Sequence, residues 1–270
     1  MRSLLPRIVV VLALWPTATP AQAPPAPVPV TRVDSAMHRF AVDGSRLHAA
    51  RFVYRTSLTR DSVVSFAGEM QVQISEAQYA GSAGWLLTET RSDGAGGPSD
   101  SLVVARADLR PLHWTAVLGP ARLAVEFTPD TIFGVMSSPL GRRNIVLHNR
   151  GDLLVNTAAV DAVLGALPLG ADWRDSASVM VVDAGGSVTA PAMLAVDGEE
   201  HLTVPAGEYD CWIVSLETER GSVRLWVGKE GQGVVRSEQI LPHLGGAVLE
   251  RILLRVEETS PASAAGRLPY

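Results

Sequence analysis

Cysteine is almost absent from this chain: Cys211 is the only one in 270 residues. An intramolecular disulfide is therefore excluded, and the fold must be held by its core even in an oxidising compartment. Lysine is as scarce, since Lys229 is the one lysine among 23 basic residues, and the arginines are scattered. With a formal net charge of −5, the chain lacks the basic stripe of a nucleic-acid binder, so no nucleic-acid partner is expected. Beyond the first residues, no apolar run approaches the roughly 20 residues of a membrane-spanning helix. The marks of several chemistries are missing as well. The six histidines (His38, His48, His113, His148, His201, His243) form no His-x-His or His-Glu-x-x-His pattern, so no zinc motif is legible. There is no Gly-x-Ser-x-Gly nucleophile elbow. Gly94, Gly96 and Gly97 lead into Pro98 rather than a helix, so no phosphate-cradling loop is present. No metal, cofactor or catalytic residue is assigned, and a triad assembled only in space stays open.

What is there begins with an address. Arg2 and Arg7 flank the start of an apolar run from Ile8 to Trp15, and small residues follow to Ala23. This is the layout of a secretory signal peptide, taken here as residues 1–23, with cleavage after Ala21 or Ala23. Losing the two arginines takes the formal charge from −5 to −7. No cysteine lies near the cleavage region, so the expected product is periplasmic or extracellular and not lipid-anchored. A proline-rich spacer occupies residues 24–39, with a short helical turn expected from Asp34 to Phe40. Residues 40–257 read as one β-rich domain, with two β subdomains flanking a helix as the alternative. Residues 258–270 read as a frayed tail.

The domain is read as strands. Glu69 to Ser75 places Met70, Val72 and Ile74 on one face and polar residues on the other. Ala49 to Leu58, Trp85 to Thr90, Leu102 to Arg106, Leu112 to Leu118, Ile132 to Ser137 and Asn144 to His148 follow the same logic. One helix is expected, because Val160, Val163, Leu164 and Leu167 fall at helical spacing and Leu153 extends the stripe backwards. Asp152 or Asn156 would cap it and Pro168 would stop it. It should cover a sheet face or plug a barrel mouth. A meander then resumes, with Val188–Val196 and His201–Val204 as separate strands joined at Asp197-Gly198, a dipeptide suited to a type I′ hairpin turn. The last strand, Val248–Glu257, is expected to turn Ile252, Leu254 and Val256 inward and Arg251, Arg255 and Glu257 outward.

Cys211 sits between strand residues with no cation beside it and reads as a buried small hydrophobe. Trp85, Trp114, Trp212 and Trp226 are dispersed over strands, where they could fill a core or line an apolar cavity; they are the candidate ligand-cavity residues.

Leu167-Pro-Leu-Gly170, Val204-Pro-Ala-Gly-Glu-Tyr-Asp210 and Val223-Arg-Leu-Trp-Val227 occur in that order over the C-terminal half. In this the chain resembles the domain-of-unknown-function 3108 family, to which the TapB-like exported bacterial proteins are similar. The resemblance implies an antiparallel sheet curled into an open barrel or clam shell with one covering helix, and it implies no catalytic residues. The expected function is binding of a lipid or other apolar or amphipathic ligand, or of a cell-envelope protein, by an exported protein that is not an enzyme. The alternatives are a hydrolase with a spatially assembled site and a structural envelope-assembly protein that uses an exposed strand edge.

Overall fold

The computed structural model describes residues 42–91, 100–149, 153–155, 158–183, 186–219, 221–230 and 233–258. The signal peptide, the spacer and the tail beyond Glu258 lie outside them, as do Asp152 and Asn156. Among the described residues 15 strands hydrogen-bond into one sheet. The first eight are β1 (Ala50–Arg60), β2 (Val63–Tyr79), β3 (Ser82–Arg91), β4 (Asp100–Ala105), β5 (Pro111–Leu118), β6 (Ala121–Phe127), β7 (Thr131–Ser138) and β8 (Gly141–His148). They form a meander of antiparallel neighbours. Strands β9 (Leu153–Val155) and β10 (Arg174–Asp183) come next, followed by β11 (Gly186–Val204), β12 (Gly207–Thr218), β13 (Gly221–Gly228), β14 (Val234–Leu241) and β15 (Ala247–Glu258). Strand β15 pairs with β1 and so joins the two halves.

The sheet is open, because its end strands β8 and β9 do not pair with each other. It curls until β8 approaches β11 and β9 approaches β5. This is the expected clam shell, with one departure: β9 runs parallel to β10, Leu153 lying beside Ser178. Antiparallel neighbours need only a tight turn, whereas a parallel pair needs a crossover. Helix α1 (Ala158–Ala166) lies between the two strands and supplies it. Leu153 therefore belongs to a strand and not to the backward extension of the helix.

Helix α1 is enclosed rather than laid over a face. Val160, Ala162, Val163, Leu164, Ala166 and the following Leu167 are all at least nine-tenths buried. A helix apolar on every side belongs inside a protein. Each of its large side chains contributes roughly 1.5–3 kcal/mol by burial. A 3-10 turn, Gly44–Arg46, ties its exit to the shell: Arg46 Nη1 donates to the Leu167 carbonyl at 3.0 Å. Only glycine fits at position 44, because a Cβ there would lie 2.0 Å from the Arg106 carbonyl oxygen.

Two expectations about strands are corrected. Asp197-Gly198 is no hairpin turn. Strand β11 runs through it, and the register against β12 slips between Val196 and Gly198. A dipeptide suited to a turn also suits a β-bulge, where one extra residue bends a continuing strand. The second correction is the facing of β15. Leu253 is fully buried and Arg251, expected outside, is held inside by an ion pair. The register against β1 shifts between Val53 and Tyr54, which changes the face presented along this strand pair.

Candidate functional site

Two buried clusters fill the shell. The larger runs from β2 through β8, around α1 and into β10–β14. The smaller gathers Tyr54, Met70, Val72, Leu202, Cys211, Trp226, Val235 and Leu253. Phe52 packs against both. At this seam lies a cavity of about 570 Å³, within the range of small-molecule and cofactor sites.

The walls of the cavity come from several places, among them the segment Leu47, His48 and Ala49, Tyr209 of β12 and Glu230. Strand β1 supplies Ala50, Phe52 and Tyr54, and β2 supplies Val72 and Ile74. Helix α1 presents Asp161, Ala162 and Gly165. Gly233 and Val234 close one side, and Val256 and Glu258 come from the end of β15. The space exists because small residues stand where a core would carry large ones. Ala50 and Ala162 end at Cβ, and Gly165 and Gly233 have none. Gly233 has φ +76, which suits glycine, and a Cβ there would come within 3.8 Å of the Phe52 ring.

One polar device is built into this apolar wall. Arg251 Nη2 donates to Asp161 Oδ1 at 2.8 Å, and Nη1 lies 2.8 Å from Oδ2. The guanidinium sits 4.7 Å from the centre of the Tyr54 ring. The Tyr54 hydroxyl donates to the Val234 carbonyl at 2.9 Å. Burial pushes the Asp161 carboxyl up, and Arg251 beside it pulls it back. Arg251 Nε remains without a hydrogen-bond partner. Such a pair adds little net stability, but removing one partner strands a buried charge.

A second polar group lies at the β3–β4 pair. Glu89 stands opposite Asp100, and Trp114 Nε1 donates to Asp100 Oδ1 at 2.6 Å. Burial, and then the nearby Glu89 carboxylate, push Asp100 up to about 8. Arg91 meets Glu89 at 3.0 Å. A carboxyl in the state of Asp100 can hold and release a proton near neutral pH. His113 contacts the carboxylate of Glu126 at 2.8 Å and His201 that of Asp210 at 2.9 Å. Among the described residues no group of His, Cys, Asp and Glu side chains is placed to hold a metal ion.

The four tryptophans are not brought together. Trp85 and Trp114, each 3% exposed, belong to the larger cluster, and Trp212 packs against it. Trp226, 4% exposed, belongs to the smaller one. Their indoles face local partners: Trp85 donates to the Gly44 carbonyl at 3.3 Å and Trp226 to Glu200 at 2.7 Å. Lys229 sits 4.2 Å over the Trp212 ring. None of the four lines the cavity described above. Cys211 is fully buried, and burial pushes its thiol up to about 11, as suits an inert core residue.

Sequence reasoning missed Phe52, Asp161 and Arg251 as site residues. The usable signal was a carboxylate inside an otherwise apolar helix, with an arginine inside an apolar strand as its only sensible partner.

The geometry can be set beside known proteins. The family model described as "Protein of unknown function (DUF3108)" matches residues 51–250. The chain is similar to a β-barrel-like protein of domain of unknown function DUF1849 from Brucella abortus. That likeness has 10% identity and TM-score 0.47, and covers 80% of this chain and 99% of the other. It is similar to a putative exported protein with YmcC-like fold from Bacteroides fragilis at 14% identity and TM-score 0.40, covering 81% and 99%. The hypothetical lipoprotein YmcC from Escherichia coli is similar at 16% identity and TM-score 0.35, covering 78% and 86%. No curated protein matches the chain.

Proposed function

The chain belongs to the DUF3108 family of proteins of unknown function, and from that premise we propose that it is an exported protein that binds an apolar or amphipathic ligand inside its curled sheet, without catalysis. One observation carries this reading: the cavity of about 570 Å³ between β1, β2 and α1, lined mainly by apolar side chains. A half-open hollow of that size exposes apolar lining to water, and an apolar occupant removes that surface from water. In this reading the four tryptophans stiffen the shell and do not touch its contents. The signal-peptide layout of residues 1–23 supplies export, and the expected setting is the periplasm or the extracellular space.

The test is native mass spectrometry of protein purified from the exported fraction, with solvent extraction of whatever it carries. A bound species of lipid or detergent size is expected. Protein that is bare after purification and that takes up no apolar probe would end this reading.

A second reading, docking of an envelope protein along β8, is favoured by that strand's position at the end of the sheet. Beside it Phe133 is 44% and Val146 73% exposed, directly opposite each other across β7 and β8. Crosslinking from position 146 in the envelope fraction tests it. A single specific adduct supports docking, and a crosslink-free strand contradicts it.

A further inference from the structure

The β5–β6 and β7–β8 hairpin tips stand side by side at one end of the shell. We propose that together they form a docking surface for a lipid bilayer that carries anionic phospholipids. This goes beyond the ligand-binding reading and does not rest on it.

The tips are apolar where nothing covers them. Val117 is 41%, Leu118 36% and Leu140 100% exposed. Consecutive strand residues point to opposite faces, so a covered strand hides one of each pair. At Val117 and Leu118 neither is hidden, and this hairpin therefore projects past the core. Leu140 sits on a closed turn, in which its N–H donates to Ser138 Oγ at 3.2 Å. Apolar side chains scattered singly over a surface are ordinary. Three at the ends of neighbouring hairpins make a wedge.

Charge says what the wedge fits. Val117 pairs with Arg122, Arg122 with Ser137, and Ser137 with Arg142. This row sets two exposed arginines on one face, two strands or roughly 10 Å apart. Arg143, also exposed, adds a third cation to the β7–β8 tip. Residues 117–122 and 137–143 contain no aspartate or glutamate, in a chain whose formal net charge is −5. Two other tips at this end carry no such surplus among the described residues. Arg60 lies 3.6 Å from Asp61 at the β1–β2 tip, and the β12–β13 tip bears Glu217 and Glu219. Apolar side chains entering the acyl boundary, with cations beside them at the phosphate level, are the pattern of interfacial binding to an anionic bilayer. An acidic protein would match the arginines but would need a pocket for each protruding side chain, whereas a fluid bilayer closes around any shape. The cavity lies toward the opposite end of β1, where Ala50 pairs with Ile74 and Glu258, so docking at the tips leaves it accessible.

The experiment sediments the full exported chain with phosphatidylcholine vesicles, with and without phosphatidylglycerol at about one lipid in three. Partitioning onto the anionic vesicles is expected to be at least about tenfold stronger than onto the neutral ones, and to weaken as salt is raised. Arg122→Gln with Arg142→Gln should lower binding to the anionic vesicles about tenfold. Leu118→Ser with Leu140→Ser should lower it by a similar factor. All four positions are exposed, so the melting temperature should hardly move. Uptake of the neutral fluorescent probe N-phenyl-1-naphthylamine by the cavity should match the wild type in both variants. No sedimentation with either vesicle, equal sedimentation with both, or binding untouched by the tip substitutions overturns the docking surface and leaves the cavity reading standing. Loss of probe uptake together with vesicle binding in the tip variants would mean that lipid is held by the cavity instead, which also overturns it.

Discussion

The meander from β3 to β8 and the seam where β1, β2, β15 and α1 meet are made of the same material to different ends. In the meander, Trp85, Leu87, Leu102, Leu123, Val125 and Ile132 are all at most 3% exposed. The rings there are large and the buried side chains leave no comparable hollow among the described residues, although the register slips once, between Val103 and Val104. At the seam alternation breaks. The register slips between Val53 and Tyr54 and again between Leu58 and Thr59. An arginine points inward, and Ala50, Ala162 and Gly165 leave room that none of the described residues fills. The difference teaches that in this protein small residues, Ala50, Ala162 and Gly165, mark what is hollow, whereas aromatics occur in both regions, Trp85 and Trp114 in the packed part and Phe52 and Tyr54 on the cavity wall.

The comparison can be broken most forcefully in the meander and at the ion pair. Trp114→Ala should cost about 3–5 kcal/mol, as a large ring lost from a filled interior, read as a fall in the urea midpoint. Arg251→Met should cost a similar 3–5 kcal/mol by stranding Asp161, while Arg251→Met with Asp161→Leu should return most of it. A double variant no more stable than the single one would mean that the pair is not an isolated unit.

The next effect is one of pH. The Asp100 carboxyl lies near 8 when folded, against an ordinary value of 3.8. Between these values the folded state binds more protons than the unfolded one, so stability falls as pH rises from about 4 to about 8. Chemical denaturation across that window should show a loss on the order of 1–3 kcal/mol, absent in Asp100→Asn. The smallest effect is at the surface. The hydrogen bond to Asp210 raises His201 above its ordinary 6.5. The stabilisation from this exposed pair is present below that ordinary value and fades as pH rises through the raised one. An NMR titration should show His201 returning toward 6.5 in Asp210→Asn, with hardly any change in melting.

How much of this was legible in the sequence differs between the same two regions. The meander was readable because Leu123, Val125 and Phe127 alternate strictly and tight turns separate the runs. The seam was not. Leu153 pairs in parallel with a strand 25 residues away, and no local pattern encodes that. Asp197-Gly198 carries turn chemistry that serves equally well as a bulge. Arg251 faces inward only because Asp161, on a helix 90 residues earlier, awaits it. The hollow itself has no local signature, since each of Ala50, Ala162 and Gly165 is unremarkable alone and becomes a wall only when curling brings them together.

The central claim is tested most directly by titrating N-phenyl-1-naphthylamine into the wild-type protein and into Ala162→Leu. Leucine at position 162 grows into empty space, so its stability should change by less than about 1 kcal/mol, in contrast to overpacking of a filled core at about 1–3 kcal/mol. The account predicts saturable probe fluorescence in the wild type and its loss in the equally stable variant. Equal uptake by both proteins, or a variant destabilised as a filled core would be, would contradict it.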